Sequence, residues 1–181
     1  MRPIVVLIGP PAAGKSRIGK KIAKYLEHDF IDTDSAIVAE HGPISDIFST
    51  SGETEFRRIE RQAVARALAT DAVVSLGGGA VMDEQTRRDL LSHRVVLLTV
   101  TADAVAKRIT GKLAKGQKRP LLAAETAESA LEAWQHLVDT RRPVYESLAT
   151  ATWDTSVRPI TAIAREIADW ATKDMAGTPH R

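Results

Sequence analysis

Apolar residues along the chain group into five short, largely unbroken runs, at residues 4–8, 30–32, 72–76, 94–100 and 150–153. Unbroken runs are typical of parallel strands that are covered on both faces. Between the runs, apolar residues recur at helical spacing over residues 53–69, 83–92, 101–110, 126–147 and 160–172. Strands that alternate with helices predict an α/β fold with a mostly parallel sheet and right-handed crossovers.

The composition is that of one globular domain: 181 residues, 44% hydrophobic and 27% charged. The absence of cysteine excludes disulfides, thiolate metal ligands and cysteine nucleophiles, and it fits a reducing compartment. A net charge of +2, spread along the chain, is too small to indicate nucleic-acid binding. No apolar run is long enough to span a bilayer, and the first strand leaves no room for a signal peptide. We therefore expect a cytoplasmic monomer with neither a nucleic-acid nor a membrane partner.

A phosphate-binding pattern follows the first predicted strand. Residues 9–16 are G-P-P-A-A-G-K-S and fit G-x-x-x-x-G-K-[S/T], with a helical pattern directly after them. Backbone N–H groups of such a loop converge on a polyphosphate, and the helix N-terminus adds partial positive charge. Lys15 is then predicted to reach the terminal phosphates and the Ser16 hydroxyl to coordinate Mg²⁺. The alternative is a plain glycine turn, but the flanking pattern favours phosphate binding.

Two carboxylates follow the second predicted strand, at Asp32 and Asp34. Side chains of a strand repeat every two residues, so we expect both carboxylates on the same side, facing the phosphates. One carboxylate is expected to hold Mg²⁺ through a water, and the other to accept a proton from an attacking hydroxyl. The alternative is a structural role, as an Asx turn or an N-cap of a helix at 35–41.

Glycines at 77–79 follow the third predicted strand and suit a backbone that closely approaches a ligand; a strand-to-helix turn is the alternative. In the helix predicted over 53–69, Arg57 borders the apolar face, and Glu60 on the buried side can orient it. Arg57 is therefore the candidate for gripping a carboxylate ligand with its bidentate fork. Arg58 and Arg66 are assigned to a solvated face.

Two further basic segments remain ambiguous at this stage. Residues 111–120 hold two glycines, four basic residues and a proline, which fits either a solvated surface loop or a lid that closes over phosphates. Arg141 and Arg142 precede Pro143 inside a long helical pattern, and the proline requires a kink or a helix start there. Spacing alone does not decide whether these arginines form an anion site.

Taken together, these motifs resemble those of the shikimate kinases, from about residue 2 to residue 170. The matching segments lie at residues 9–16, 32–34, 52–60, 75–80, 118–122 and 141–145. The resemblance implies a nucleoside-monophosphate-kinase-like P-loop fold, a three-layer αβα sandwich with a five-stranded parallel sheet of order 2-3-1-4-5 and a lid. It implies ATP-dependent phosphorylation of the shikimate 3-hydroxyl, with Mg²⁺, on the route to chorismate and the aromatic amino acids.

The resemblance also assigns roles to individual residues. Asp34 is the implied base, and Lys15 and Arg119 neutralise charge on the transferring phosphate. The implied ATP-binding residues are Pro11, Ala12, Ala13, Gly14, Lys15, Ser16, Arg17, Arg119 and, on the adenine side, Arg158. Those implied to bind shikimate are Asp34, Arg57, Gly78, Gly79 and Arg141. Mg²⁺ is implied to bind Ser16 directly and Asp32 through water.

The same resemblance divides the single domain, residues 1–181, into functional segments. Residues 35–61 are expected to form a substrate-binding subdomain and residues 111–123 the lid, while 174–181 are expected to fray. Two residues depart from the family pattern: Ala12 stands where glycine is usual, and Arg17 where threonine is usual. If position 12 needs a positive φ, alanine is strained there by roughly 1 kcal/mol or more, and ATP affinity is expected to differ.

Two other functions fit parts of the sequence. A kinase for another small polyol acid, such as gluconate, would use the same fold and P-loop, but the D-T-D, F-R-R-I-E and G-G-G set favours shikimate. A non-catalytic ATP-binding module is the second alternative. Such a module should have lost Lys15, Asp34 or Arg119, and all three are present.

Overall fold

The computed structural model describes residues 4–113 and 127–176. Its sheet is made of β1 Val5–Ile8, β2 Phe30–Asp32, β3 Val73–Ser75, β4 Val95–Thr99 and β5 Ala151–Asp154. The strands run parallel in the order β2-β3-β1-β4-β5. This confirms the parallel sheet expected from the apolar pattern and the strand order implied by the family resemblance, with strand ends shifted by a residue at most sites.

Helices cover both faces of the sheet. They are α1 Lys15–Leu26, α2 Thr33–His41, α3 Ile44–Leu68, α4 Glu84–Leu90, α5 Ala102–Leu113, α6 Ala127–Leu148 and α7 Ile160–Ala176, with a 3₁₀ turn at Ala80–Met82. The predicted N-caps are confirmed, since Asp83 accepts a hydrogen bond from Thr86 N and Thr101 accepts one from Ala104 N. Within the described residues, none of these helices is long and apolar enough to cross a membrane.

Three helix boundaries differ from the expectations. α3 begins at Ile44, well before residue 53, and Gly52 (φ 80°) interrupts its helical backbone. Pro143 lies inside α6, so it is not a helix start. α7 continues to Ala176 and so includes the beginning of the segment that was expected to fray. Residues 177–181 lie outside the described part of the chain.

The sheet separates two apolar cores, because successive side chains of a strand point to opposite faces. Val5 and Leu7 of β1 belong to one core, with side chains of α1, α5, α6 and α7. Val6 and Ile8 belong to the other, with side chains of α3 and α4. Both faces of the central strands are therefore buried, which is why their sequences are unbroken apolar runs.

A third, smaller core holds α2 against α3. Its buried members are Ile37, Ile47, Phe56, Ile59 and Ala63. This small core gives the expected subdomain at 35–61 its own packing. It also fixes Arg57, which directly follows Phe56, relative to the ends of β2 and β3.

Candidate active site

The segments that follow the first three strands all lie at one edge of the sheet. β1 leads into the loop at 9–14, β2 ends at Asp32, and β3 leads into the glycines at 77–79. Because the strands are parallel, these ends meet at the C-terminal edge, where ligands of such folds bind. The topology thus brings together the motifs that the sequence analysis selected separately.

Lys15 lies against the backbone of the phosphate-binding loop. Its ammonium donates hydrogen bonds to Gly9 O at 2.7 Å and to Pro10 O at 3.0 Å. Lys15 is also the first residue of α1, where backbone N–H groups point out of the helix end. The loop therefore combines a cation with the N–H donors of a helix N-terminus, which is the chemistry that a polyphosphate requires.

Ala12 adopts the left-handed conformation that was suspected from the sequence, with φ at 69°. Two side chains from distant elements hold the carbonyls of this part of the loop. Trp134 Nε1 of α6 donates to Pro11 O at 2.9 Å, and Arg108 Nη1 of α5 donates to Ala12 O at 2.5 Å. These contacts help to hold an alanine in a conformation that L-residues avoid.

Replacing Ala12 with glycine is expected to stabilise the fold by about 1 kcal/mol, because glycine adopts this φ without steric conflict. The measurement is the free energy of unfolding in urea. Ala13→Gly, at a neighbouring position without a positive φ, serves as the matched control and should destabilise the fold. Equal effects of the two substitutions would contradict strain at position 12.

The carboxylate of Asp32 makes two contacts, one that caps a helix and one with a residue of the candidate site. One carboxylate oxygen caps α2 by accepting from Ser35 N at 3.0 Å. The other accepts a hydrogen bond from Ser16 Oγ at 2.5 Å. The N-cap alternative considered for this residue is therefore correct, and it coexists with a hydroxyl–carboxylate pair beside the phosphate-binding loop.

Asp34 lies in the first turn of α2, so strand alternation does not explain how it comes to be near Asp32. Burial raises the pKa of Asp34 to about 6, and the Asp32 carboxylate adds to this effect. Lys15 and Arg57 lower its pKa, while Glu60 raises it further. A carboxylate with a pKa near 6 is ionised at neutral pH and basic enough to take a proton from a hydroxyl.

The Asp34 carboxyl is expected to titrate with a midpoint near pH 6 in the protein without nucleotide, because burial disfavours its charged form. The measurement is a ¹³C NMR titration of protein labelled at aspartate carboxyls. Asp34→Asn identifies the signal by removing it. A midpoint near 4 would show that the group is not buried enough to serve as proposed.

The glycines at 77–79 make room for charged side chains as well as for a ligand. A methyl group at Gly77 would overlap the Asp34 carboxylate, and one at Gly79 would lie 2.7 Å from Arg57 Nη1. The loop is held by Thr33, a fully buried residue whose Oγ1 accepts from Gly77 N and donates to Ser75 O. Close approach of backbone to side chain explains two of the three glycines.

Arg57 is held between two glutamates, of which Glu60 was expected from its helical spacing. Its Nη1 donates to Glu60 at 2.7 Å, and Nη2 donates to Glu53 at 3.2 Å. Burial disfavours the charged guanidinium, but the glutamates outweigh burial and raise the pKa of Arg57. Burial also raises the pKa of Glu60, and Arg57 partly opposes this. By contrast, Arg58 and Arg66 are exposed surface residues in ion pairs, as expected.

Arg141 reaches the same region from α6. One helical turn further on, the hydroxyl of Tyr145 donates to Gly78 O at 2.6 Å. Burial raises the pKa of Tyr145, and Arg141 partly opposes this. Tyr145 is 2% exposed, so its hydroxyl is firmly placed. The two neighbouring arginines therefore differ in position. Arg141 lies at the site, and Arg142 pairs with Asp139 outside it.

These groups share one cleft of about 630 Å³. Of the predicted site residues, its lining includes Pro11, Ala12, Ala13, Gly14, Lys15, Ser16, Arg17, Asp32, Asp34, Arg57, Gly78, Gly79 and Arg141. Arg158 does not line the cleft, and its guanidinium pairs with Glu166 of α7 instead. The expected lid at 111–123 is described only at its first three positions, 111–113, which end α5. Residues 114–123, including Arg119, lie outside the described residues.

The contributors that the sequence analysis missed include Arg108, Trp134 and Thr33, as well as Tyr145. Arg108 holds the phosphate-binding loop and also donates to Thr155 O at 2.6 Å. Trp134 contacts the loop from 123 positions away in the chain. No local pattern signals such contacts. For Thr33, its place between two site aspartates was the available signal.

Comparison with known proteins identifies the family. The model of the shikimate kinase family matches residues 11–172. A shikimate kinase of Salinispora arenicola is 44% identical over 170 residues, which are 93% of this chain and 97% of the relative. A shikimate kinase of Thermobifida fusca is 47% identical over 86% of this chain and 87% of its own.

Solved structures agree with this result. A shikimate kinase from Acinetobacter baumannii, in complex with shikimate, aligns with a TM-score of 0.83 and 27% identity over 96% of this chain and 94% of its own. A gluconokinase from Sinorhizobium meliloti aligns with a TM-score of 0.63 at 20% identity over 97% of each chain, which shows a shared fold alone. The family match over most of the sequence, together with the parallel sheet of order 2-3-1-4-5, shows that this chain belongs to the shikimate kinase family.

Proposed function

We propose that this protein transfers the γ-phosphoryl group of ATP to the 3-hydroxyl of shikimate, giving shikimate 3-phosphate and ADP. The product is used on the route to chorismate and the aromatic amino acids. The observation that carries the proposal is one cleft in which a half-buried carboxylate, Asp34, lies between the phosphate-binding loop and Arg57. Such a cleft holds a polyphosphate at one end and a small hydroxy acid at the other.

Asp34 is the base in this proposal. It accepts the proton of the shikimate hydroxyl while that oxygen bonds to the γ-phosphorus and the bond from phosphorus to the bridging oxygen of ADP breaks. Arg57 and Arg141 bind the shikimate carboxylate, together with the backbone at Gly78 and Gly79. Lys15 neutralises charge on the transferring phosphate, and loop residues 11–17 hold the nucleotide.

Mg²⁺ fits the residues beside the phosphate-binding loop. Ser16 Oγ and an Asp32 carboxylate oxygen are 2.5 Å apart, and both are hard oxygen ligands of the kind that Mg²⁺ prefers. Within residues 4–113 and 127–176, no group of three or more histidine, aspartate or glutamate side chains forms a metal site. A Mg²⁺ ion bound mainly by phosphates needs only the Ser16 hydroxyl and, through water, Asp32. When bound, Mg²⁺ supplies charge neutralisation at the phosphates.

The remaining assignments extend the proposal to whole segments. Residues 35–61, with their own small core, act as the shikimate-binding subdomain. Residues 111–123 act as a lid that brings Arg119 to the transferring phosphate and excludes water, and 174–181 act as a tail without a role in the site. Arg158 retains its assignment to the adenine side. Its guanidinium pairs with Glu166, so it would have to contact Glu166 and the nucleotide at the same time.

The proposal is tested by ADP release with purified protein, Mg²⁺ and ATP, supplied with shikimate, with gluconate or with no acceptor. Release that depends on shikimate, with the phosphorylated product identified by mass spectrometry, supports the proposal. Release with gluconate alone would favour the polyol-acid kinase. Nucleotide binding without turnover on any acceptor would favour the non-catalytic module.

We further propose a cytoplasmic monomer. What supports a monomer is that one chain supplies both ends of the cleft. What supports the cytoplasm is a cysteine-free sequence and a reaction that consumes ATP. Sedimentation of the purified protein at assay concentration tests the first statement, and cell fractionation tests the second.

A further inference from the structure

The glycine loop, residues 77–79, makes internal hydrogen bonds with most of its polar backbone groups. The carbonyl of Gly77 accepts from Ala80 N at 3.1 Å, and the carbonyl of Gly79 accepts from Met82 N at 2.9 Å. The middle carbonyl and the first N–H of the loop are bonded by side chains instead. Each backbone N–H and carbonyl requires a partner, so the groups that remain are informative.

Two buried hydroxyls, from different helices, hold this loop. Thr33 begins α2, and its Oγ1 accepts from Gly77 N at 3.0 Å and donates to Ser75 O at 3.4 Å. Tyr145 of α6 donates its hydroxyl to Gly78 O at 2.6 Å. Thr33 is fully buried and Tyr145 is 2% exposed. Water does not readily replace a buried donor or acceptor, so removing either hydroxyl leaves a backbone group of the loop without a partner.

The N–H groups of Gly78 and Gly79 are the ones that remain. Neither donates a hydrogen bond to any residue that the structure describes, and both glycines are partly exposed in the cleft. The peptide bond between them is trans, so the N–H of Gly79 points away from the Gly78 carbonyl and from Tyr145. Successive N–H groups bind anions, and Arg57 Nη1 beside Gly79 adds a positive charge.

We propose that Thr33 and Tyr145 are positioning residues for the carboxylate of the acceptor. By fixing the backbone of the glycine loop, their hydroxyls hold the N–H groups of Gly78 and Gly79 ready for a carboxylate that is also bound by Arg57. The ligand then does not have to order the loop when it binds, and this preorganisation strengthens binding. The inference rests on the proposed function, because it takes shikimate as the carboxylate ligand.

The test combines steady-state kinetics with ¹H–¹⁵N NMR of the full-length protein labelled with [¹⁵N]glycine. Tyr145→Phe and Thr33→Val each remove one hydroxyl while nearly keeping the size of the side chain. Each is expected to raise KM for shikimate by about three- to tenfold, the effect of one hydrogen bond, with less change in kcat and in KM for ATP. Shikimate should move the amide proton signals of Gly78 and Gly79 downfield in the unmodified protein, and less in both variants. Gly78→Ala identifies one signal by removing it.

Each variant tests its own residue. Unchanged KM for shikimate and unchanged glycine shifts in Tyr145→Phe would overturn the role of Tyr145, and the same result in Thr33→Val would overturn that of Thr33. Thr33→Ser keeps the hydroxyl and should keep a low KM. If Thr33→Ser raised KM as much as Thr33→Val, the methyl group rather than the hydroxyl would be responsible, and the role assigned to that hydroxyl would be wrong.

Thr150→Val is the matched control for a general loss of stability. Thr150 Oγ1 also accepts from one N–H and donates to one carbonyl, both of Val95, where β4 begins and away from the cleft. This control should leave KM for shikimate unchanged, and an equal rise in KM would overturn the inference. If the unmodified protein releases no ADP in response to shikimate, the proposed function fails and the inference fails with it. If it does release ADP but the variants keep their KM, the inference alone fails.

Discussion

Replacing Asp34 with asparagine is expected to lower kcat for shikimate phosphorylation by about three orders of magnitude, the range typical of losing a general base. Asparagine keeps the shape of the side chain but does not accept the proton of the attacking hydroxyl. ADP binding should be retained, because Asp34 is assigned to the acceptor side. The measurement is a steady-state ADP-release assay combined with titration of ADP.

The same substitution is expected to make the fold more stable at neutral pH. Because folding raises the pKa of Asp34, the protonated carboxyl group favours the folded state. That contribution to the free energy of unfolding is lost as pH rises through about 6. Asparagine avoids the loss, so at pH 7 the variant should gain about 2 kcal/mol in unfolding free energy, allowing for partial exposure. The gain should vanish below the ordinary aspartate pKa, near pH 4.

Asp71→Asn is the matched control, since Asp71 is exposed beyond the end of α3. It should change neither turnover nor stability. Turnover by Asp34→Asn at the unmodified rate would refute the proposed base. An unchanged free energy of unfolding at pH 7 would instead show that the carboxylate is well solvated.

Replacing Arg57 with alanine is expected to raise KM for shikimate by about 10- to 100-fold, which corresponds to the loss of one charge-assisted, bidentate contact. KM for ATP should change little, because Arg57 lies on the acceptor side of Asp34. The substitution also leaves Glu60 without its 2.7 Å partner, while the Glu60 side chain is only 6% exposed. The fold should therefore lose about 3 kcal/mol of stability.

A double substitution separates the two effects of removing Arg57. In Arg57→Ala with Glu60→Gln, no buried charge is left unpaired, so most of the stability should return while the KM for shikimate stays high. Arg58→Ala is the control, because Arg58 pairs with Glu55 at the surface. If the double substitution restored shikimate binding together with stability, Arg57 would have a structural role only.

Local features of the site could be predicted from the sequence because they depend on spacing within one element. The pairing of Arg57 with Glu60 follows from a separation of three residues on a helix, and the structure confirms it. The cap at Asp83 is equally local. The alternation of apolar runs with helical patterns predicted a parallel sheet. In contrast, the strand alternation used to place Asp34 was wrong in its reason, because β2 ends at Asp32 and Asp34 lies on a helix.

The sequence by itself determined the class of fold, the phosphate-binding loop and the identities of the charged groups, since each depends on residues close together in the chain. Only the tertiary structure decided which groups meet. It decided that Asp34 is half-buried against Gly77, that Arg158 pairs away from the cleft, and that Trp134 contacts the loop across 123 positions. Burial and long-range contact arise when separate elements pack together, and no short pattern encodes that packing.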